Sequence, residues 1–148
     1  MRAALDSNVI IYAEGLAEDP RNKVAQDLLL AIPGGALVVP LQAAAETLRW
    51  LIKKAKLPRA KAARSVGRWI ARYAVQPTDH AVMTSALELI EKHNFQVFDA
   101  IILAAAAEAR AAVLLSEDMQ DGFRWRGVTV ANPFSDAPSP IIARLLKS

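Results

Sequence analysis

Apolar residues occur along this chain in two patterns. Short continuous apolar runs, at residues 3–5, 36–39, 113–116 and 128–131, are typical of buried parallel strands. Longer segments with apolar residues at helical spacing lie between them, at 21–32, 41–55, 59–73, 80–93 and 100–112. Strands that alternate with helices predict a domain of the α/β class with a mainly parallel sheet. Residues 74–77 are interpreted as a short strand at its edge.

The first ten residues contain the arrangement that we consider central. A short apolar strand ends at Asp6, and Ser7 and Asn8 are small polar residues that suit the beginning of a helix. An acid placed where a buried strand gives way to a helix lies at the carboxyl edge of the sheet. Open α/β folds bind their ligands at that edge.

Composition narrows the possible chemistry. The chain has 148 residues, enough for one domain with its own core, and it has no cysteine, so disulfides, thiolate zinc sites and cysteine catalysis are excluded. No apolar run reaches the length of about 20 residues that a bilayer requires, and no secretion signal is visible at the N-terminus. We therefore expect a cytoplasmic protein that does not contact a membrane.

The net charge of +3 is unevenly distributed. Half of the 18 basic residues lie between 49 and 72, a stretch without a single acid. Within it Arg64, Arg68 and Arg72 are spaced to share one helical face. Such a face is ordinarily just solvated, but it also fits the phosphate backbone of a nucleic acid or an acidic segment of a protein partner.

Four acids stand where strands end or helices begin. Asp6 follows the first strand, Glu46 lies early in the helix after the second, Asp99 opens an apolar helix, and Asp118 follows the strand at 113–116. The carboxyl ends of parallel strands meet at one edge, so these side chains are expected to converge. Each acid alone suits a helix cap or a turn. Together they would repel one another unless a hard divalent cation neutralised them, with Mg²⁺ expected and Mn²⁺ as the alternative.

These residues carry a family resemblance. The segments Leu5-Asp6-Ser7-Asn8, Phe98-Asp99-Ala100 and the run from Leu115 to Gly122, together with the isolated Glu46, resemble the PIN-domain nucleases, in particular the VapC-type toxins of bacterial toxin–antitoxin pairs. The resemblance covers nearly the whole chain. It implies a three-layer α/β/α PIN-like domain over residues 1–134. The tail, 135–148, is interpreted as one short loose helix, and contact with a partner is one interpretation of its role.

The resemblance also implies an activity and a set of roles. The protein would be a Mg²⁺-dependent endoribonuclease, restrained by a cognate antitoxin and paired as a homodimer. Asp6, Glu46, Asp99 and Asp118 match the acidic quartet, with Asp6, Asp99 and Asp118 as metal ligands and Glu46 as a ligand or an aid to the attacking water. Asn8 and Ser116 match supporting positions, and Asp121 a more variable acidic one that is equally well a turn residue.

Two rival functions stay open at this point. One is an aspartate-based phosphotransferase with Asp6 as nucleophile, against which Asn8 counts because those sites favour a second aspartate there. The other is a PIN-like module that binds RNA or protein without cleaving it.

Two residues near the last acidic motif also have an expected position. We expect Glu117 to face solvent, and Trp125 to face RNA or a second subunit.

Overall fold

The strands are short, and most of them follow the apolar runs of the sequence. In the computed structural model, which describes residues 1–148, the strands are β1 (Ala3–Leu5), β2 (Leu37–Pro40), β3 (Ala74–Gln76), β4 (Val113–Leu115), β5 (Arg124–Trp125) and β6 (Val128–Ala131). Every residue of β1, β2, β4 and β6 is buried, which explains why these strands appear as continuous apolar runs.

The strands form one sheet in the order β3-β2-β1-β4-β6-β5. All neighbours pair in parallel except β5 and β6, which form an antiparallel hairpin. β1 and β4 lie at the centre, with Leu5 in register with Leu115. The edge position predicted for residues 74–77 is confirmed by β3.

Seven helices connect and cover these strands. They are α1 (Ser7–Glu14), α2 (Pro20–Ala31), α3 (Leu41–Lys53), α4 (Arg59–Arg72), α5 (His80–His93), α6 (Val97–Glu108) and α7 (Pro140–Lys147), with a 3₁₀ turn at Gly34–Ala36. None of them has the length and apolarity that crossing a bilayer requires. Gly15 ends α1 in the left-handed conformation, at φ 66°, where a side chain would be strained.

The helices form one layer on each face of the sheet. From β1 through β2 to β3 the chain moves towards one edge, and from β3 to β4 it returns, so right-handed crossovers place α1–α4 and α5–α6 on opposite faces. The contacts agree, since α1 packs on α2 and α3, α3 packs on α4, and α5 pairs with α6. The predicted three-layer α/β/α fold class is confirmed.

The helix α6 is the most deeply buried of the seven. Residues 100–106 are all buried, and six of these seven residues have no exposed surface; the exception, Ile101, is 5% exposed. A run of four alanines at 104–107 lets the backbone of this helix lie close to the sheet. α6 contacts strands β2, β3, β4 and β6, so it spans most of the sheet's width.

Three features differ from the sequence-based expectations. The strand β5 was not predicted, because two residues carry no periodic signal. α6 begins at Val97 rather than Ala100, and its cap is Gln96, whose Oε1 accepts from the Asp99 N–H at 3.1 Å. The helix predicted in the tail is present as α7, but it is not loose, since it packs on β6 through Ile141, Ile142 and Leu145 as part of the main core.

Replacing Leu103 by alanine should destabilise the protein by about 2–5 kcal/mol, because its side chain is fully buried in α6 and a cavity would remain. Leu30 provides a matched control on α2, since it is 81% exposed and the same substitution should change stability by less than about 0.5 kcal/mol. Urea unfolding measures both. Equal losses for the two variants would contradict the assignment of α6 to the core.

Candidate active site

Asp6 is the buried carboxylate at the centre of the candidate site. It follows β1 and caps α1, its Oδ1 accepting from the Ser7 N–H at 2.7 Å. Its own N–H donates to the Leu115 carbonyl at 3.0 Å, which continues the β1–β4 pairing by one residue. The residue is only 3% exposed. Burial raises the pKa of Asp6, and hydrogen bonds from Ser116 and Ser7 oppose that effect.

Ser116 holds the second oxygen of Asp6. Its fully buried hydroxyl donates to Asp6 Oδ2 at 2.7 Å and accepts from the Met119 N–H at 3.3 Å. The serine follows β4 directly, as Asp6 follows β1, so the parallel register of the two strands brings them together. The contact fits the supporting position predicted for Ser116.

Asn8 connects two of the predicted acids. Its amide nitrogen donates to Asp118 Oδ2 at 3.1 Å and lies 3.5 Å from Asp6 Oδ2. Its amide oxygen accepts from the Glu117 N–H at 3.2 Å. Asn8 therefore fixes the first turn of α1 against the loop that follows β4.

Glu46 on α3 and Asp99 on α6 bring two further carboxylates to this edge. Burial raises the pKa of Glu46 to about 7, with further contributions from the charges of Asp6 and Asp99. Burial likewise raises the pKa of Asp99 to about 6, followed by the charges of Asp6 and Asp118. All four predicted acids thus lie close enough to influence one another.

The residues present fit a divalent cation. Negative charge accumulates here without a compensating base, and Glu46 Oε2 is buried without a hydrogen-bond partner. Oxygen donors of this kind suit Mg²⁺ and Mn²⁺. In this arrangement, however, no three of these side chains are placed to hold a single ion.

Next to the acids lies a network that the sequence did not reveal. The Glu117 carboxylate, expected in solvent, accepts from Tyr12 Oη at 3.1 Å and from Arg21 Nη1 at 3.0 and 3.1 Å. Arg21 also pairs with Asp19 at 2.7 Å. The expectation for Glu117 was wrong, because a residue 96 positions earlier supplies its partner.

Asp121 and Trp125 form hydrogen bonds with residues other than the four acids. Asp121 Oδ1 accepts from the Asn132 N–H at 3.0 Å, so this carboxylate ties the loop after β4 to the chain after β6. Trp125 is 8% exposed and its indole N–H donates to Glu88 at 3.3 Å, which makes the expected position against RNA or a second subunit wrong. Arg126 pairs with the same glutamate at 2.6 Å and lowers the pKa of its carboxyl.

Arg64, Arg68 and Arg72 are exposed on α4 and form no hydrogen bond or ion pair with the four acids. No basic residue of the stretch from 49 to 72 forms an ion pair; the four ion pairs of the protein lie elsewhere. Arg68 and Arg72 border a groove of about 790 Å³ between α4 and the pair α1–α2. Its apolar lining includes Leu29, Leu30, Trp69 and Tyr73.

Comparison with known proteins identifies the family. The family model of the PIN domain matches residues 3–123, and the chain therefore belongs to the PIN domain family. The resemblance seen in the sequence is confirmed. No curated protein sequence matches this chain significantly.

Three solved structures have a similar fold. A toxin–antitoxin complex from Klebsiella pneumoniae superimposes with a TM-score of 0.67 at 20% identity, covering 89% of this chain and 98% of that one. VapC20 of Mycobacterium tuberculosis, described as a toxin that cleaves the sarcin-ricin loop, gives 0.65 at 17%, covering 78% and 89%. VapBC2 of Rickettsia felis, solved with a promoter DNA fragment, gives 0.64 at 17%, covering 89% and 98%. At these identities the likeness establishes the fold.

Glu46→Gln should flatten the pH dependence of stability of the metal-free protein. The pKa of Glu46 is raised from 4.5 to about 7, so the folded state holds a proton that the unfolded state has released between those pH values. Stability should therefore fall as pH rises through this window, and the variant should recover about 1–2 kcal/mol at pH 7.5. Urea unfolding in EDTA at a series of pH values measures the free energy of unfolding. Glu91→Gln, at an exposed glutamate, is the control. Parallel profiles for the wild type and Glu46→Gln would contradict this assignment.

Proposed function

We propose that the protein is a metal-dependent endoribonuclease that hydrolyses RNA phosphodiester bonds at the site formed by Asp6, Glu46, Asp99 and Asp118. The observation that carries the proposal is the clustering of these carboxylates at one edge of the sheet, where Ser116 holds Asp6, Asn8 holds Asp118 and Glu46 Oε2 is buried without a hydrogen-bond partner. Burial and the neighbouring acids raise the pKa of Asp6, Glu46 and Asp99, which is consistent with this arrangement. Family membership supports the same reading. A cation would offset the charge that the fold concentrates here.

Asp6, Asp99 and Asp118 are the residues we assign to hold the ion, Mg²⁺ or Mn²⁺. When bound, such an ion polarises phosphate oxygens and lowers the pKa of a water at the site. Asp6 is suited to a fixed position, because Ser7, Ser116 and the β1–β4 register restrain it. Asn8 restrains Asp118 in the same way.

Glu46 is assigned to the proton of the attacking water, or to the ion itself. A pKa of about 7 is suited to proton transfer at neutral pH. The buried Oε2 of Glu46 has no hydrogen bond that would have to break before it accepts a proton. Attack by water on the phosphorus, with departure of the 3′ oxygen, leaves a 5′-phosphate and a 3′-hydroxyl. The protein's own contribution is to place the phosphate in line with that water.

The arginines of α4 are proposed to contact the RNA backbone. Their side chains are exposed, they repeat every four residues along the helix, and none is neutralised by an acid. Phosphate contacts provide much of the affinity for nucleic acids and carry little sequence information. The same face also fits an acidic partner segment, and the dependence of binding on RNA and salt distinguishes the two.

We further propose a cognate antitoxin and a homodimer. The Klebsiella pneumoniae neighbour is a toxin–antitoxin complex by description, which supports the first part. The groove beside Leu29, Leu30 and Trp69 offers an apolar floor with Arg68 and Arg72 at its rim, and this suits an amphipathic segment with acidic residues. Sedimentation of the isolated chain and of the chain with its antitoxin tests both parts.

Purified protein should cleave cellular RNA in Mg²⁺ or Mn²⁺ and not in EDTA, and Asp99→Asn should lower the rate at least about 100-fold because a ligand charge is lost. Gel analysis and sequencing of the 5′ ends measure both. Asp136→Asn, on the exposed loop before α7, is the matched control and should retain activity.

The alternative function, a PIN-like module that binds without cleaving, makes the opposite forecast for this assay. Binding of RNA without metal-dependent fragments, by folded protein that takes up Mn²⁺, would favour it over the nuclease. Cleavage that survives both EDTA and Asp99→Asn would indicate a contaminating nuclease and would remove the support for our proposal.

Replacing Arg64, Arg68 and Arg72 together by glutamine should weaken RNA binding and lower its salt dependence, with a slope reduced by up to about 2 for three lost contacts to single-stranded RNA. KM should rise while kcat stays close to that of the wild type. The control is a triple variant that replaces Lys23, Arg144 and Lys147. It removes the same amount of charge from α2 and α7. An equal loss in both variants would show that only net charge matters.

A further inference from the structure

The guanidinium of Arg21 is held in one orientation by two acids. Its Nη1 donates to both oxygens of Glu117, at 3.0 and 3.1 Å. Its Nε and Nη2 donate to the two oxygens of Asp19, at 3.0 and 2.7 Å. Asp19 caps α2 in turn, accepting from the Arg21 N–H. Arg21 therefore ties Glu117 to the beginning of α2.

Tyr12 adds a second restraint on the same carboxylate. Its hydroxyl donates to Glu117 Oε1 at 3.1 Å, and the Arg21 guanidinium lies 4.4 Å above its ring. The ring also meets Phe134 edge-on, with centroids 5.0 Å apart. Thus α1 and α2 both contact the Glu117 carboxylate, and the segment after β6 packs against the Tyr12 ring.

Glu117 is in turn connected to the acids through its backbone. Its N–H donates to Asn8 Oδ1, which leaves the Asn8 amide nitrogen directed towards Asp118 and Asp6. If the Glu117 N–H moved away, Asn8 Oδ1 would lose the donor that fixes the orientation of the Asn8 amide. The amide could then turn its oxygen towards the carboxylates, which would repel it.

We propose that Arg21 and Tyr12 are positioning residues that act through Glu117 to fix Asn8 and Asp118 for metal binding and RNA hydrolysis. This inference rests on the proposed function. A stabilising purpose alone does not account for the network, because the ion pair is partly solvated, with the side chains 41% and 23% exposed, and such pairs contribute little to folding. Instead, the network restrains Asn8 through the Glu117 N–H, and Asn8 contacts Asp118 and Asp6.

The inference is tested with Tyr12→Phe, Arg21→Gln and Glu117→Gln. Each should lower kcat for RNA about 10-fold and weaken Mn²⁺ binding about 10-fold, as loss of partners behind metal ligands does. KM for RNA should stay within about twofold, and the thermal midpoint within a few degrees. Tyr12→Phe is the sharpest of the three, because it keeps the ring contacts and removes one hydroxyl.

Two further variants separate this chain of contacts from independent effects. Arg21→Gln combined with Glu117→Gln should lose no more than either single variant, because both changes break the same contact. Arg21→Lys, which keeps the charge but not the paired donors, should be intermediate. Lys23→Gln is the matched control, since it breaks a 2.6 Å ion pair with Asp27 on the same helix, away from the site, and should leave both readouts unchanged.

Three results would overturn the inference. A raised KM with unchanged kcat and Mn²⁺ affinity in Arg21→Gln would mean that Arg21 contacts RNA itself. Impairment in Glu117→Gln alone would mean that Glu117 acts without its partners. A lowered thermal midpoint with unchanged Mn²⁺ affinity would mean that the network only stabilises the fold.

The Mn²⁺ titration by calorimetry separates this inference from the nuclease proposal. If the wild type binds Mn²⁺ without cleaving RNA, the nuclease proposal fails, and weaker binding by Tyr12→Phe still supports the positioning network. If the wild type cleaves and all three variants match it in kcat and Mn²⁺ affinity, the nuclease proposal stands and the network has no such function.

Discussion

The parallel pairing of β1 with β4 is the constraint on which the candidate site depends. It aligns Leu5 with Leu115, and the next hydrogen bond, from Asp6 N–H to the Leu115 carbonyl, places Asp6 beside Ser116 across 110 positions of sequence. Asn8 and the loop after Ser116 meet because they follow these residues by one or two positions. A slip of the register by one residue would turn Ser116 to the other face and separate the whole set.

Asp6 is buried and Glu46 and Asp99 are half-buried, so three of the four carboxylates lie where water is scarce, while Asp118 is exposed. Burial there raises the pKa of Asp6, Glu46 and Asp99, which means that the fold spends stability to keep acids close together. Hydrogen bonds offset part of that cost for Asp6, through Ser7 and Ser116, and for Glu46, through Gln42. Asp99 has no such donor among the groups that affect its pKa, so a cation is the natural complement of the arrangement.

The sequence predicted most of the fold, since buried strands and amphipathic helices have clear periods. It also predicted that the four acids lie near one another, because Asp6 and Asp118 follow strands and Glu46 and Asp99 lie in the early turns of helices. It did not predict β5, which has two residues, or the cap of α6, where Gln96 and not Asp99 accepts the capping hydrogen bond. The contacts of Glu117 were out of reach for another reason. They join the beginning of α2 to the loop after β4, and pairing over such a distance leaves no local pattern in the chain.

Both edges of the sheet are very short, with three residues in β3 and two in β5. An extended peptide that added a strand to either edge would find few backbone groups to pair with, and the hairpin edge is fastened to α5 through Arg126 and Glu88. Recognition by strand addition is therefore disfavoured in this fold. The choice of a protein partner then depends on the shape and charge of side chains on the helices and loops rather than on backbone pairing.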